Sequence, residues 1–249
     1  MTISIAVVCE ADADFRIATD LADRVCCETI KWLDSDLVET LRTYRGESNS
    51  KPFFCWKEIP RVAKRLRIRT HGHFRSQPGD LEAAATRRAL HVCMASGQRP
   101  DGVILVRDSD NRPRGEGMRQ ARDDFESKSG YNAIAIGVAH SKRECWVIAG
   151  FAPRTDNESA RVHDLTRGAT GLGFDPIAHS ERLTATDESA KKSPKRILNA
   201  LTSGDRQREE ACWTETPLDT LRMRGQQNGL ARYLAEVRDR IGPLFTRPN

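Results

Sequence analysis

No apolar stretch in the 249-residue chain approaches the roughly 20 residues that a bilayer-spanning helix needs, so a helical membrane span is not expected. The run Ile3 to Val8 is too short for a signal-peptide core and passes directly into acidic sequence. Cysteine is present but unorganised. Cys9, Cys26, Cys27, Cys55, Cys93, Cys145 and Cys212 form neither a disulfide framework nor paired CxxC knuckles, and His163 and His179 with Cys145 have no zinc spacing. Reduced thiols and a cytoplasmic location are the simpler expectation. Gly171-Leu172-Gly173 is not followed by the lysine of a nucleotide-binding loop, and the chain has no internal repeat, which sets aside an ATPase and a repeat architecture.

What is there suits a packed globule. Hydrophobic residues make up 38% of a chain long enough for one sizeable α/β domain with a helical appendage. The balance of 40 basic against 35 acidic residues gives a formal charge of +5, a surface of both signs that permits a polyanionic partner without demanding one.

Three short apolar runs read as buried strands. Residues 3–9 form a continuous β-branched run, as a strand covered on both faces requires, and a segment of helical periodicity follows. VILVR after Asp101-Gly102 is the second strand, followed by Asp108-Ser109-Asp110-Asn111 and a helix reaching about Lys128. NAIAIGVA is the third, followed by His140 to Trp146 at the start of a short helix. Before the second strand, Asp80 is placed to cap an Ala-rich helix ending before Gly97. Residues 28–78 read as an insertion with moderate helix content, residues 152–192 as polar with no strong period, and 193–204, 206–212 and 218–245 as helical. The expected organisation is a core over 1–150 and a mainly helical extension over 151–249.

Each of the three strands ends in carboxylates: Glu10 with Asp12 and Asp14, then Asp108 and Asp110, then Glu144. Ligand sites in open α/β sheets lie at the carboxyl ends of the strands. Clustered like charges are costly unless a cation compensates them, and Mg²⁺ (or Mn²⁺) suits an all-oxygen set. On an extended segment Asp108 and Asp110 point to the same side and can face one ion. Such a site activates water or stabilises a leaving oxygen in phosphodiester hydrolysis. Asp12 reads as a first-turn residue favoured by the helix dipole, a role that Asp14 shares as the alternative to metal binding. His140 is either a general acid or phosphate contact, or a structural histidine. The basic stretch Arg61 to Arg75 is either a solvated face or a nucleic-acid backbone track through Arg65, Arg67, Arg69, His71 and His73, with Lys142 and Arg143 as further phosphate contacts.

Glu10-Ala11-Asp12-Ala13-Asp14 resembles the Glu-x-x-x-Asp element of the overcoming-lysogenization-defect nucleases, Asp108-Ser109-Asp110 resembles the DxD of the Toprim fold, and His140 to Trp146 resembles a His-x-x-x-Glu-x-Trp segment of small Toprim-related bacterial proteins. The resemblance covers roughly residues 1–150. Ala11 stands where such proteins commonly carry glycine. The resemblance implies a Toprim-like (Rossmann-like), mostly parallel central sheet flanked by helices, and a Mg²⁺-dependent endonuclease acting on DNA or RNA. It implies Glu10 as metal ligand or general base, Asp108 and Asp110 as metal ligands, Asp14 and Glu144 as ligands of a second ion, and a basic assistant, for which Lys195 is the choice. It implies the effector of a bacterial defence system; the absence of an ATPase motif in the chain points to a separate ATPase or sensor protein, and a homo-oligomer is left open. The main rival expectation is a non-catalytic interaction or nucleic-acid-binding subunit of the same fold; a second is phosphotransfer or phosphatase chemistry on small molecules.

Overall fold

The computed structural model describes residues 2–48, 51–74, 77–167 and 171–246; Arg75, the end of the basic stretch, lies outside them. In chain order the elements are β1 (Ile3–Cys9), α1 (Asp12–Thr29), α2 (Ser35–Leu41), β2 (Arg42–Arg45), β3 (Phe54–Cys55), α3 (Ile59–Arg65), β4 (His73–Phe74), β5 (Gln77–Pro78), α4 (Ala83–Ala95), β6 (Gly102–Asp108), α5 (Arg114–Ser129), β7 (Ile134–Ala139), α6 (Glu144–Ala149), α7 (Asp156–Arg167), α8 (Pro194–Thr202), α9 (Arg206–Thr214), α10 (Leu218–Arg224), α11 (Leu230–Arg240) and α12 (Pro243–Thr246). Contacts divide the chain into two compact units. The first holds residues up to Arg107, Arg112–Val138 and those from Tyr233 on; the second holds Asp108–Asn111 and Ala139–Arg232.

The first unit is an α/β layer structure on a mostly parallel sheet in the order β2-β1-β6-β7. β1 pairs in parallel with β6 (Ile5 with Gly102 through Val8 with Leu105), with β2 (Ile3 with Arg42 through Ala6 with Arg45) and with β3 (Val8 with Phe54, Cys9 with Cys55). Both faces of the strands are covered, which is why the three apolar runs are continuous rather than alternating. Ala6, Val8, Val103, Leu105, Ile134 and Ile136 share one core with Trp56, Val62, Leu90, Cys93 and Met118. The alternate residues Ile5, Val7, Ile104 and Ala135 are equally buried, as are Ile17, Leu21 and Val25 of α1. Tyr233 is tied into this unit by its hydroxyl, which donates to Ala18 O at 2.7 Å.

Three sequence expectations need correction here. The segment 28–78 supplies two strands of the central sheet; β2 was missed because Arg-Thr-Tyr-Arg at a sheet edge has no apolar signature. Helix α4 starts after Glu82, whose φ of 73° is left-handed, and Asp80 makes no side-chain cap. Glu82 turns its carboxylate to two arginines instead, as described below. The long helical stretch 218–245 is broken into α10, α11 and α12, the first break falling at Gly225 to Gly229.

The second unit is helical around α6, whose residues Cys145–Ala149 are all buried. α6 packs on α8 and α9, and α7 on α8. Ser193 and Asp205 cap α8 and α9 through their side-chain oxygens. α7 falls inside the segment read as lacking a period, because the one side chain it buries fully is a glutamate. Glu158 accepts from Arg208 Nε at 2.7 Å and from Arg154 N at 2.6 Å, and Arg208 lies over the Phe151 ring at 4.3 Å. The Arg208 hydrogen bond, helped by Arg154 N–H, holds the Glu158 carboxyl below the usual carboxylate range against the opposing effect of burial. A depressed value means that the pair stabilises the fold above the ordinary carboxylate pKa and loses that contribution as pH falls through the folded-state value. Glu158→Gln is therefore expected to cost about 2–3 kcal/mol at pH 7, with the gap to the native protein closing below about pH 4. Urea unfolding at both pH values measures it; a pH-independent gap removes the ion-pair account.

Candidate functional site

In the first unit β1 ends at Cys9, and Glu10-Ala11 turns the chain into α1. Ala11 is the extended N-cap residue and offers no side-chain oxygen. Asp14 compensates from three residues on, its Oδ2 accepting from Ala11 N at 2.9 Å. Thus at least one Asp14 oxygen serves the helix start, the role that the sequence left as its alternative. Asp12 sits in the same first turn and pairs with Arg16 at 3.0 Å.

The half-buried Glu10 carboxylate faces two guanidinium groups, with Arg107 Nε at 3.6 Å and Arg114 Nη1 at 3.9 Å. Both arginines also meet Glu82, Arg107 Nη1 at 2.6 Å and Arg114 Nε at 3.7 Å. Arg107 lies 4.9 Å from the centre of the Trp56 ring, whose indole N–H donates to Val106 O at 2.7 Å. Two carboxylates and two guanidiniums thus form a charge-compensated cluster at the end of β1. Sequence reasoning missed Arg107, Arg114 and Glu82. The available signal was a charged residue closing an otherwise apolar strand, since a buried strand does not end in arginine without a partner.

In the second unit the DxD turn and the segment after β7 are laced together. Ser109 N donates to Ala139 O at 2.8 Å, and Asp110 N donates to Ser141 O at 3.0 Å. Asp108 Oδ1 accepts from Arg143 N at 2.7 Å. Ser109 Oγ lies 3.1 Å from His140 Nδ1. Asp110 and Asn111 are consecutive left-handed residues, with φ of 46° and 58°, conformations that Asp and Asn adopt more readily than other side chains. β6 therefore stops at Asp108, and the extended geometry expected to aim Asp108 and Asp110 to one side does not hold. Asn111 Nδ2 donates to Thr184 O at 2.9 Å. Glu144 Oε1 pairs with Arg143 Nη2 at 3.0 Å. The structure therefore brings Asp108, Asp110, His140, Arg143 and Glu144 into one connected turn region.

Beside it lies a cavity of about 490 Å³ lined by Arg143, Glu144, Glu188, Lys195, Arg196 and Glu209 among others. Lys195 meets Glu188 at 2.7 Å, and this hydrogen bond raises the ammonium pKa. The carboxyl of Glu209 is pushed up by burial, with Arg143 opposing and Glu144 adding to the rise. Glu209 and Arg196 were not anticipated, because their helices gave no motif.

Asn228 underlies this region and was also missed. Fully buried, it donates from Nδ2 to Cys145 O at 3.0 Å and Ser180 Oγ at 2.9 Å, and its Oδ1 accepts from Leu230 N at 3.0 Å. Its carbonyl accepts from His140 N and from the Trp146 indole, both at 2.9 Å. Trp146 is fully buried and anchors the core of this unit.

Arg65, Arg67, Arg69, His71 and His73 are exposed in the first unit, and Lys142 is half-buried in the second. Arg65 reaches Glu47 at 3.3 Å. The backbone carrying the two histidines is fixed by Arg87, whose Nη1 donates to His71 O and His73 O at 2.6 and 2.8 Å while its guanidinium stacks 3.5 Å from the Phe74 ring centre.

Among the described residues, no three His, Cys, Asp or Glu side chains are grouped to hold a metal ion. The oxygen donors suit Mg²⁺ in kind. Mg²⁺ is commonly held by one or two carboxylates together with substrate phosphates, so a preformed three-donor cage is not required for its use.

The fold and the strand-end residues define an α/β protein with a mostly parallel, helix-flanked sheet. No protein-family model matches the chain, and no curated protein or solved structure matches it. No helix among the described residues is long and apolar enough to cross a membrane.

Proposed function

We propose that this chain is a Toprim-like, Mg²⁺-dependent endonuclease of the cytoplasm that hydrolyses phosphodiester bonds in DNA or RNA, the effector of a defence system whose sensing or ATPase component is a separate protein. The observation that carries the reading is the strand order: β1, β6 and β7 are consecutive in the sheet, and carboxylates stand at the carboxyl end of each, Glu10 to Asp14 after β1, Asp108 and Asp110 at the end of β6, and Glu144 in the mixed-charge segment after β7. Phosphoryl chemistry needs a proton acceptor for water and cations for the phosphate oxygens. Glu10 is the acceptor in this proposal. Arg107 and Arg114, which flank it, offer the planar guanidinium donors suited to phosphate. Asp108 and Asp110 are the donors proposed for Mg²⁺, with Asp14 and Glu144 as the second-ion ligands that the resemblance implies; the ion when bound neutralises charge on the phosphate oxygens. Lys195 and the exposed Arg65, Arg67, Arg69, His71 and His73 supply sequence-independent backbone contacts, as do Lys142 and Arg143.

The guanidiniums at Glu10 also favour a second reading. They already compensate the carboxylate, as in a non-catalytic subunit that binds nucleic acid or a partner through the same fold. Cleavage of plasmid DNA and structured RNA with Mg²⁺ or Mn²⁺ separates the two. The nuclease reading expects cleavage by the native protein and a loss of about 10²-fold or more in Glu10→Gln and Asp108→Asn variants whose circular dichroism is unchanged. Binding without cleavage by the native protein, even beside its genomic neighbours, selects the non-catalytic reading.

A further inference from the structure

We propose that Cys9 and Cys55 form a redox-modification site, a thiol pair that a hydroperoxide oxidises to a disulfide across β1 and β3. The two residues are register partners on adjacent parallel strands. Side chains at paired positions project from the same face, and the usual strand spacing of about 4.8 Å falls inside the Cα separation of about 4.4–6.8 Å that disulfides span. Their sulfurs are also brought to one place by their hydrogen bonds. Cys55 Sγ donates to Glu10 O at 3.3 Å, and Cys9 Sγ donates to Ala11 O at 3.4 Å, two consecutive carbonyls of the same turn. Both thiols are free in the structure. Their exposure differs: Cys55 is half-exposed and Cys9 fully buried, so an oxidant meets Cys55 first and Cys9 is the resolving partner.

The chemistry balances with a hydroperoxide as the oxidant. The Cys55 sulfur attacks the terminal oxygen, the O–O bond breaks, Cys55 becomes a sulfenic acid, and the peroxide leaves as water or an alcohol carrying the thiol proton. The Cys9 sulfur then attacks the Cys55 sulfur. The S–O bond breaks, and hydroxide departs as water with the Cys9 proton. Two thiols lose two electrons in total and one peroxide gains them.

Oxidation removes both S–H donors from the Glu10–Ala11 turn and ties that turn to β3 covalently. The pairing itself is independent of the proposed nuclease activity; only its effect on catalysis through Glu10 rests on that reading.

Peptide mapping of the whole native chain tests the pairing without any activity assay. The reduced protein is treated with hydrogen peroxide, unfolded in guanidinium chloride containing a maleimide so that buried thiols are also alkylated, digested without reductant and analysed by mass spectrometry. The expected product is a cross-linked peptide pair containing Cys9 and Cys55, lighter by two hydrogens than the free peptides together, reversed by dithiothreitol, with the other five cysteines alkylated. Cys55→Ser should abolish the cross-link, and Cys9→Ala should leave Cys55 as a sulfenic acid trapped by dimedone. Native protein in which Cys55 is alkylated, overoxidised or joined to another cysteine while Cys9 stays alkylatable overturns the proposal.

Discussion

Replacing Asn228 with leucine is expected to destabilise the second unit by about 3–5 kcal/mol, because three buried hydrogen bonds lose their partner at once. The change keeps size and burial but leaves Cys145 O, Ser180 Oγ and Leu230 N without the amide that serves them. Leucine cannot replace these contacts, and water has no entry to a residue with no exposed surface. Asn228→Asp should restore only the acceptor for Leu230 N while adding a buried charge, and so should rescue little. Asn199→Leu, at an exposed position of α8, is the control and should shift stability by less than about 0.5 kcal/mol. Urea titrations followed by far-ultraviolet circular dichroism give the comparison. A loss under 1 kcal/mol for Asn228→Leu would remove the Asn228 side chain from the centre of this unit.

The second large effect is expected in the first unit, at Gly117. A methyl group there would stand 1.8 Å from Leu81 O and 2.8 Å from Ala83 N, both main-chain atoms that cannot turn aside. Helix α5 meets the start of α4 at this point, and the intervening residue is Glu82, whose left-handed φ aims its carboxylate at Arg107 and Arg114. Gly117→Ala must therefore push the 81–83 backbone away, at about 3 kcal/mol or more, the upper part of the range for overpacked sites. Gly130→Ala gives the contrast: its φ is +65° but nothing lies within 4 Å of the added carbon, so only the backbone penalty of about 1 kcal/mol applies. Equal losses for the two variants would show that the α4 start yields without cost. If nucleic-acid cleavage is established, Gly117→Ala should also weaken it in molecules that remain folded, since Glu82 orients the arginines beside Glu10.

Much of the fold was readable because burial on both faces leaves a mark on sequence. A strand covered above and below has no reason to alternate, and the runs 3–9, 102–108 and 134–139 do not. The end of α5 was equally legible: the helix expected to reach about Lys128 stops at Ser129, where Gly130 turns left-handed. β2 and α7 were opaque for the opposite reason: the first is an edge strand of Arg, Thr and Tyr, and the second fully buries only the polar Glu158. The acidic strand ends could be found as residues but not as partners. Nothing near Glu10 in sequence announces Arg107, Arg114 or Glu82, because charges separated by about 70 to 100 positions meet only once the fold exists. The pairing of Cys9 with Cys55 depends on a two-residue strand, too short for any periodicity to reveal.

The composition of β2 that hid it from recognition also protects the sheet it terminates. A sheet border offers unpaired amides and carbonyls to any extended chain, and proteins guard such borders with short strands and charge. β2 is four residues long and carries an arginine at each end, Arg42 bound to Asp23 and Arg45 to the carbonyls of Ser96 and Gln98. Along the same side of β1, two-residue β3 continues the border. A second molecule approaching to add a strand would meet a short template flanked by positive charge, so self-association through this border is disfavoured.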